Sequence, residues 1–364
     1  MPLTVVIAPD SFKGTLAAGD VAEAIATGWR DVRPADDIRI FPQADGGEGT
    51  LDAIERAVPG AVRRSAGVVT GPDGRPTPGE WLQLADGTAV VELAQPSGLP
   101  LMSAPDATGA TTRGLGEVIA AALDAGATAL AIGLGGSAST DGGAGALRAL
   151  GLRLTDANGD ELDEGGGPLV RLVDADRAAL RPAPPTTLLT DVDAPLLGPR
   201  GAAAVFGPQK GASTEQVAEL DAALATFARV LGGDPNQSGT GAAGGTAFGF
   251  VNAWGAVIEP GADYLAKLSG VSTAIASADV LLTGEGRFDA QSVGGKVVGQ
   301  LLSAAAAHGI PSGVIAGQLS ADPPVWACSL TDLAGSAEQA MAETARWLRA
   351  AGAEAARALG TTGD

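Results

Sequence analysis

Five short clusters of polar residues stand out in this sequence, because most of them follow an apolar run that predicts a β-strand. Open α/β sheets bind ligands outside the carboxyl ends of their strands, so these clusters are candidate binding positions. They are residues 9–14 (PDSFKG), 44–50 (ADGGEGT), 188–195 (LLTDVDAP), 206–211 (FGPQKG) and 281–289 (LLTGEGRFD), the last followed by Gly294-Gly295-Lys296.

The first cluster combines a carboxylate, a hydroxyl and an ammonium group in Asp10, Ser11 and Lys13. Such a set is suited to orienting a small hydroxy acid, with the lysine paired with the carboxylate of that acid. The alternative is a capped turn that binds nothing. In the second cluster, Asp45 and Glu48 offer hard oxygen ligands suited to Mg²⁺, although acidic residues at a helix start also stabilise the helix dipole.

The other clusters add a base and several cations. Asp191 is suited to accepting a proton from a substrate hydroxyl or to binding a metal ion, and the alternative is a surface aspartate in a loop. Lys210 stands between glycines, which suits it to neutralising phosphate charge. Arg287 can hold a phosphoryl or carboxylate group through two parallel hydrogen bonds, close in sequence to Glu285 and Lys296.

A long glycine-rich loop, residues 133–145 (GLGGSASTDGGAG), follows a predicted strand and leads into an apolar stretch. Bare backbone approaches a phosphate closely, and a helix N-terminus adds roughly half a positive charge. The loop therefore suggests phosphate binding. A plain tight turn is the alternative, since 54 of the 364 residues are glycine. The sequence contains no Walker A motif and neither the HRD nor the DFG motif of protein kinases, so the loop does not identify the enzyme class.

The near absence of histidine and cysteine restricts the chemistry. One residue of each, His308 and Cys328, cannot form a tetrahedral zinc site, and a Ser-His-Asp hydrolase is disfavoured by the plain surroundings of His308. Acid–base catalysis must then use carboxylates and lysines. That requirement fits phosphoryl transfer, in which positioning and charge neutralisation matter most.

The charge balance and the length of the chain restrict its expected partners, cellular location and number of domains. The 42 acidic residues outnumber the 23 basic ones, which argues against nucleic acid or an anionic membrane as a partner. No apolar run is long enough to span a membrane, no signal peptide is apparent, and one cysteine excludes an internal disulfide. We therefore expect a cytoplasmic protein, and 364 residues suggest two domains.

The predicted elements alternate in the manner of an α/β protein. Residues 3–8 and 38–41 are predicted strands around a helix that carries Val21, Ile25 and Trp29, which makes a parallel βαβ unit. Residues 61–93 instead predict an antiparallel meander with Asp-Gly turns. Further predicted strands cover 129–134, 186–189, 280–282 and 313–316, and predicted helices cover 297–307 and 337–359. Ser213 and Gln216 have the spacing of a capping box.

Seven segments, taken in order, resemble the bacterial type I glycerate kinases. They are residues 7–16 (IAPDSFKGTL), 44–50 (ADGGEGT), 92–99 (ELAQPSGL), 132–145 (IGLGGSASTDGGAG), 204–212 (AVFGPQKGA), 239–245 (GTGAAGG) and 281–292 (LLTGEGRFDAQS). Each segment is a weak signal alone, but the seven stand in the right order, and the resemblance runs from the N-terminus to beyond residue 320.

The resemblance implies a two-domain α/β fold with the active site in the cleft between the domains. One domain is then Rossmann-like and discontinuous, formed by residues 1–60 and 262–364, and the other is an inserted mixed α/β domain of residues 61–261. The implied reaction is ATP- and Mg²⁺-dependent phosphorylation of D-glycerate, giving 2-phosphoglycerate, with 3-phosphoglycerate as the alternative product. The expected assembly is a monomer or a homodimer.

With this reaction in view, the clusters suggest a role for each candidate residue. Asp10, Ser11, Lys13 and Arg287 are expected to bind glycerate. The ATP phosphates are expected on the glycine loop and two lysines, which are Gly135, Gly136, Ser137, Thr140, Gly142, Gly143, Lys210 and Lys296. Mg²⁺ is expected on some of Asp45, Glu48, Asp191 and Glu285, and Asp191, Lys13 and Arg287 are the candidate catalytic residues.

Two other functions fit parts of the sequence. A nucleotide-dependent hydroxy-acid dehydrogenase would also use glycine loops after strands, but no GxGxxG motif follows the first strand. A two-lobed carboxylate-binding or sensor protein would need fewer lysines and carboxylates around its glycines than this sequence has.

Overall fold

The computed structural model describes residues 1–293 and 297–360. The strands are β1 (Thr4–Pro9), β2 (Asp37–Ile40), β3 (Val62–Thr70), β4 (Pro76–Gln83), β5 (Thr88–Glu92), β6 (Ala129–Gly133), β7 (Arg153–Thr155), β8 (Asp174–Asp176), β9 (Thr186–Leu189), β10 (Val257–Glu259), β11 (Val280–Phe288), β12 (Ser312–Leu319) and β13 (Trp326–Ser329). The α-helices are α1 (Ala18–Val32), α2 (Thr50–Ala57), α3 (Ala94–Ser97), α4 (Arg113–Asp124), α5 (Ala144–Ala149), α6 (Ala202–Phe206), α7 (Thr214–Leu231), α8 (Thr246–Trp254), α9 (Gly261–Ser269), α10 (Val271–Ala276), α11 (Ala290–Val293), α12 (Val297–Ala307), α13 (Leu330–Ala334), α14 (Ala337–Ala342) and α15 (Thr344–Leu359).

The described chain divides into two compact units. Unit 1 consists of Met1–Asp45, Asp52–Pro59 and Ala262–Asp364, within which residues 294–296 and 361–364 are not described. Unit 2 consists of Gly46–Leu51 and Gly60–Gly261. Both units mix helices with sheets, so the predicted α/β class is confirmed.

Unit 1 is built on a five-stranded sheet in the order β13-β12-β11-β1-β2, and every pairing in it is parallel. The predicted βαβ unit is therefore correct, since β1 and β2 are parallel neighbours. The chain leaves β1 toward β2 on one side and leaves β11 toward β12 on the other. The strand order thus reverses between β1 and β11, which is the position where open α/β sheets bind ligands.

Alternation along β1 places side chains on both faces of this sheet. Val5 and Ile7 belong to a core that includes buried residues of α1 and α15, whereas Val6 and Ala8 face a second core under α10 and α12. Helices α1 and α15 approach so closely that a Cβ atom at Gly28 would lie 1.8 Å from the carbonyl oxygen of Arg349. Glycine is required there because any side chain would push the helices apart.

Two predictions in unit 1 needed correction. The predicted strand 280–282 continues to Phe288, because Glu285, Arg287 and Phe288 pair with β12 although glycine and charged residues interrupt the apolar pattern. The predicted C-terminal helix is interrupted at Glu343, whose φ of −126° and ψ of 40° are not helical, so α14 and α15 are separate. Cys328 is buried in β13, and burial raises the pKa of its thiol to about 12.

Unit 2 is built on a six-stranded mixed sheet in the order β10-β9-β6-β5-β4-β3. Strands β10, β9, β6 and β5 are parallel neighbours, and β5, β4 and β3 form the predicted antiparallel meander. A separate antiparallel pair joins β7 to β8.

The helices of unit 2 bury their apolar stripes against its sheet. Leu115, Val118 and Ile119 of α4 are buried against the sheet core, together with Leu220 and Phe227 of α7. The capping box at the start of α7 is confirmed, because the Ser213 hydroxyl accepts from the Gln216 amide at 3.2 Å and the Ser213 amide donates to the Gln216 side chain at 2.9 Å. Among residues 1–293 and 297–360, no helix has the length and hydropathy that a membrane span requires.

Candidate functional site

A cavity of about 420 Å³ opens in unit 1 at the carboxyl ends of β1, β11 and β12. Six of the predicted residues line it, and they come from three of the clusters, 9–14, 44–50 and 281–289. The six residues are Asp10, Ser11, Lys13, Asp45, Glu285 and Arg287. Parallel pairing of β1 with β11 explains this meeting, because Pro9 is opposite Gly284 and both strands end at the same edge.

The two cations at this cavity differ in their partners. The Lys13 ammonium lies 3.8 Å from the Asp45 carboxylate, and both side chains remain accessible, at 70% and 39% of their full exposure. Such an exposed pair contributes little to stability, so its charges remain available to a ligand. Arg287 is also exposed, and its Nε donates to the Ser320 hydroxyl at 3.1 Å.

Asp10 is the most perturbed acid at this cavity. Burial raises the pKa of its carboxyl to about 7, and the nearby charges of Asp45 and Glu285 act in the same direction. A hydrogen bond from the Ser11 amide at 2.6 Å and the charge of Lys13 lower the pKa in part. Ionised Asp10 is therefore unfavourable in the folded protein.

Replacing Asp10 by asparagine is expected to stabilise the protein above pH 7. The folded state binds the Asp10 proton more tightly than the unfolded state, so the wild type loses stability as the pH rises from about 4 to 7. The neutral amide avoids that loss, and we expect a gain on the order of 2 kcal/mol at pH 8 and little change near pH 4. Urea unfolding at both pH values, without divalent cations, measures the difference. An equal effect at both would contradict the ionisation of Asp10 as its cause.

A second cavity, of about 380 Å³, lies in unit 2 beside the glycine loop. Five predicted residues line it, namely Glu48, Gly135, Gly136, Ser137 and Lys210. Thr190 and Val192, at the end of β9, complete one side.

Lys210 is almost fully buried, with 1% of its surface exposed. Its ammonium group donates to the Ser137 hydroxyl at 2.8 Å and to the carbonyl oxygen of Ser139, so it bridges the turn of the glycine loop. Burial lowers the pKa of Lys210 to about 7, and the charge of Asp141 opposes this shift. The lysine thus supports the loop and presents a weakly held proton at the cavity wall.

The stability of the wild type is expected to rise between pH 7 and 10, relative to a Lys210→Met variant. The unfolded chain keeps the lysine proton in this range while the folded chain loses it, so release of the proton favours the folded state as the pH increases. Urea unfolding of both proteins at pH 7 and pH 9.5 gives the comparison. Parallel pH profiles for the two proteins would show that Lys210 keeps an ordinary pKa.

Asp141 is the buried centre of the glycine loop, and the sequence did not single it out. Its carboxylate accepts from the amide and hydroxyl of Thr112 at 2.9 and 2.7 Å and from the amides of Gly143 and Gly145 at 3.1 Å each. Burial raises the pKa of Asp141, although these hydrogen bonds act in the opposite direction. The Asp141 carboxylate is inaccessible to solvent, and its four hydrogen bonds stabilise the conformation of the glycine loop.

Three of the predicted nucleotide-binding residues lie inside unit 2 rather than at its cavity: Thr140, Gly142 and Gly143 are buried. The Gly142 amide donates to the carbonyl oxygen of Gly244 and the Gly143 amide to Asp141, so protein acceptors already occupy both. The helix that follows, α5, has only six residues. These contacts hold the loop in place, and phosphate binding at this helix N-terminus stays a prediction.

Glu92 is a second supporting residue that the sequence reasoning missed. It is buried, and its two oxygens accept from the amides of Gly49 and Leu51 at 3.1 Å each, which ties segment 46–51 to β5. This segment packs so closely on the glycine loop that a Cβ atom at Gly135 would lie 2.4 Å from the Cα of Gly47. Glu92 stands first in the motif ELAQPSGL, and an acidic residue at the end of an apolar predicted strand was the available signal.

Asp191 lies at the end of β9 and is exposed. Its Oδ1 accepts from the Gly261 amide at 3.1 Å, and its neighbours Thr190 and Val192 both line the unit 2 cavity. The carboxylate is therefore beside the cavity rather than in its wall. Lys296, a predicted phosphate ligand, lies outside the described residues.

The four predicted metal ligands are divided between the units. Asp45 and Glu285 line the unit 1 cavity, Glu48 lines the unit 2 cavity, and Asp191 lies beside the latter. Across residues 1–293 and 297–360, no three Asp, Glu, His or Cys side chains are grouped closely enough to hold a metal ion by themselves. Magnesium, however, is commonly bound by one or two carboxylates together with substrate phosphates and water, and Asp45 and Glu285 fit that role.

Similarity to known proteins covers nearly the whole chain. A model of the Glycerate kinase family matches residues 5–360. A glycerate kinase of Bacillus subtilis (strain 168) is 43% identical over 331 residues, which are 88% of this chain and 86% of the relative. A glycerate 2-kinase of Escherichia coli (strain K12) is 41% identical over 331 residues, with the same coverage of both chains.

A solved structure agrees with this similarity. The crystal structure of a protein provisionally assigned as glycerate kinase 2 from Salmonella typhimurium LT2 superposes with a TM-score of 0.84 at 36% identity, over 99% of each chain. The sequence motifs, the two cavities and these matches lead to one conclusion: the chain belongs to the glycerate kinase family.

Proposed function

We propose that this protein is a glycerate kinase that transfers the γ-phosphoryl group of ATP to D-glycerate and forms 2-phosphoglycerate. The observation that carries the proposal is the family match over residues 5–360, with a relative that is named a glycerate 2-kinase. The cavities are consistent with it, because each combines a basic side chain with glycine backbone.

The grouping of charges favours the unit 1 cavity for the triphosphate. The carboxylates of Asp45 and Glu285 lie there with Lys13 and Arg287, and magnesium is usually bound by carboxylates and phosphates together. Lys13 and Arg287 then neutralise phosphate oxygens, and Ser11 offers a hydroxyl. When bound, Mg²⁺ would supply further neutralisation of the charge that develops on the transferred group.

Glycerate then takes the unit 2 cavity. Lys210 and the backbone at Gly135, Gly136 and Ser137 are suited to its carboxylate. Asp191 lies next to this cavity and is proposed as the base that accepts the proton of the attacking hydroxyl. This assignment exchanges the two ligands relative to the roles implied by the sequence, because the structure groups Asp45 and Glu285 with Lys13 and Arg287.

The function is tested by measuring ADP formation with purified protein, ATP and Mg²⁺. We expect ADP to form with D-glycerate and to remain at background with L-glycerate or without an acceptor. Reduction of NAD⁺ by glycerate would instead support the dehydrogenase alternative. Binding of glycerate without any ADP formation would support the carboxylate-binding alternative.

A further inference from the structure

The unit 1 cavity has an apolar side that the reaction at its charged rim does not explain. Six residues from three helices form it, and four of them are at most 4% exposed: Val297, Val298, Leu330, Ala337, Ala340 and Met341, of which Ala337 and Met341 are the exposed pair. We call these six residues the apolar wall. Buried side chains that still border open space indicate a formed cavity rather than a loose surface.

The size and character of the wall exclude a small acid as its occupant. Glycerate is a three-carbon acid with a polar group on every carbon, so it has no apolar surface to place against valine, leucine and methionine side chains. A cavity of about 420 Å³ is within the range that holds ligands of cofactor size. The wall therefore fits a flat and largely apolar group larger than glycerate.

The charged residues at the rim also favour a nucleotide over a small acid. Four carboxylates line the cavity, from Asp10, Asp45, Glu285 and Asp289, together with two cations, Lys13 and Arg287. The acidic side chains outnumber the basic ones around this cavity, so the local potential is negative. A bare carboxylate is repelled in such a place, whereas an uncharged nucleoside is not, and phosphates accompanied by a divalent cation are attracted.

The sheet topology adds an independent argument. The cavity lies at the carboxyl ends of β1 and β11, between which the strand order reverses. Nucleotides bind at this position in open parallel sheets of the same general kind. At the far side, the exposed Gln318 at the end of β12 offers both a donor and an acceptor for hydrogen bonds to a base or a ribose.

We infer that the apolar wall of unit 1 binds the purine nucleoside of the phosphoryl donor. The purine ring packs on Val298, Leu330 and Met341, and the phosphates extend toward Lys13 and Arg287 at the rim. This inference rests on the proposed function for the identity of the donor as ATP. It adds the position of the nucleoside, which the charged clusters alone do not give.

The test places a large side chain in the cavity from an exposed position. Ala337→Trp and Met341→Trp both fill the space beside the wall, and Ala342→Trp is the matched control in the same helix, because Ala342 is exposed and does not line the cavity. Calorimetric titration with a non-hydrolysable ATP analogue and Mg²⁺ gives Kd. We expect the first two variants to raise Kd at least about tenfold and the control to stay within about twofold.

Titration with adenosine alone distinguishes the nucleoside from the phosphates. We expect adenosine to bind the wild type weakly, to compete with the ATP analogue, and to lose binding in Ala337→Trp. Unchanged Kd values in both tryptophan variants would overturn the inference. So would a raised KM for glycerate with unchanged nucleotide binding, since the cavity would then hold the acid.

The binding measurements do not depend on turnover, so the two proposals can fail separately. A wild-type protein that binds the ATP analogue at the wall but forms no ADP with D-glycerate would refute the kinase function and leave the nucleoside site intact. Conversely, glycerate phosphorylation with nucleotide binding that is insensitive to Ala337→Trp would refute only the nucleoside site.

Discussion

An Asp191→Asn variant is expected to phosphorylate glycerate at least about 100-fold more slowly than the wild type, with KM for glycerate changed by no more than a few-fold. A positioned base contributes about 10²–10⁴ to a rate, and the amide cannot accept the hydroxyl proton. Asparagine keeps an acceptor oxygen for the Gly261 amide, which Asp191 binds at 3.1 Å. The substitution therefore removes the charge while preserving the local hydrogen bond.

Asp193 provides the matched control for this measurement. It is exposed in the same loop, two residues further on, and does not line the unit 2 cavity. Asp193→Asn is expected to leave kcat within about twofold of the wild type. If Asp191→Asn also keeps kcat within a few-fold, the proton is accepted elsewhere, and Asp191 is not the catalytic base.

The largest loss of stability is expected from Asp141→Asn. The two Asp141 oxygens accept four hydrogen bonds inside unit 2, and an asparagine would turn a donor group toward at least one of these N–H or O–H groups. Leaving buried donors unsatisfied, and removing the negative charge near Lys210, is expected to lower the free energy of unfolding by about 3 kcal/mol. Urea denaturation followed by circular dichroism measures this change.

Asp106 is a suitable comparison because it makes a similar set of bonds at the surface. Its Oδ1 accepts from the Thr108 amide and hydroxyl and from the Gly109 amide, at 3.1, 2.9 and 2.9 Å, and the residue is exposed. Water can replace these bonds, so Asp106→Asn is expected to cost less than about 1 kcal/mol. Equal losses in the two variants would mean that burial is not what makes Asp141 important.

The regular parts of the fold follow from local sequence patterns. The helical stripe of α4, the capping box of α7 and the parallel pair β1–β2 could all be predicted, because each depends on residues close together in the chain. The full length of β11 could not be predicted, because its last residues lack an apolar pattern. They form a strand because Glu285 and Arg287 pair with β12, which is distant in sequence. The order of the six strands in unit 2 could not be predicted either, because it depends on pairing between strands that are distant in sequence.

The site was predictable to the extent that its residues are polar and follow strands. Lys13, Asp45, Glu285 and Arg287 meet at one cavity, as parallel strands that end at one edge require. The role of Asp141 was hidden, because its partner Thr112 is 29 residues away and a buried aspartate looks like any loop aspartate in the sequence. The apolar wall was hidden for a similar reason, since Leu330 and Met341 resemble ordinary core residues until the cavity beside them is seen.

The account is tested most directly by phosphorus NMR of a reaction that contains the purified protein, ATP, Mg²⁺ and D-glycerate. We predict that the ATP signals decrease as ADP appears, together with a phosphomonoester signal split into a doublet by the single proton on carbon 2. A triplet would show transfer to the 3-hydroxyl and would contradict the proposed product. ATP that remains unchanged in the presence of D-glycerate would contradict the kinase function itself.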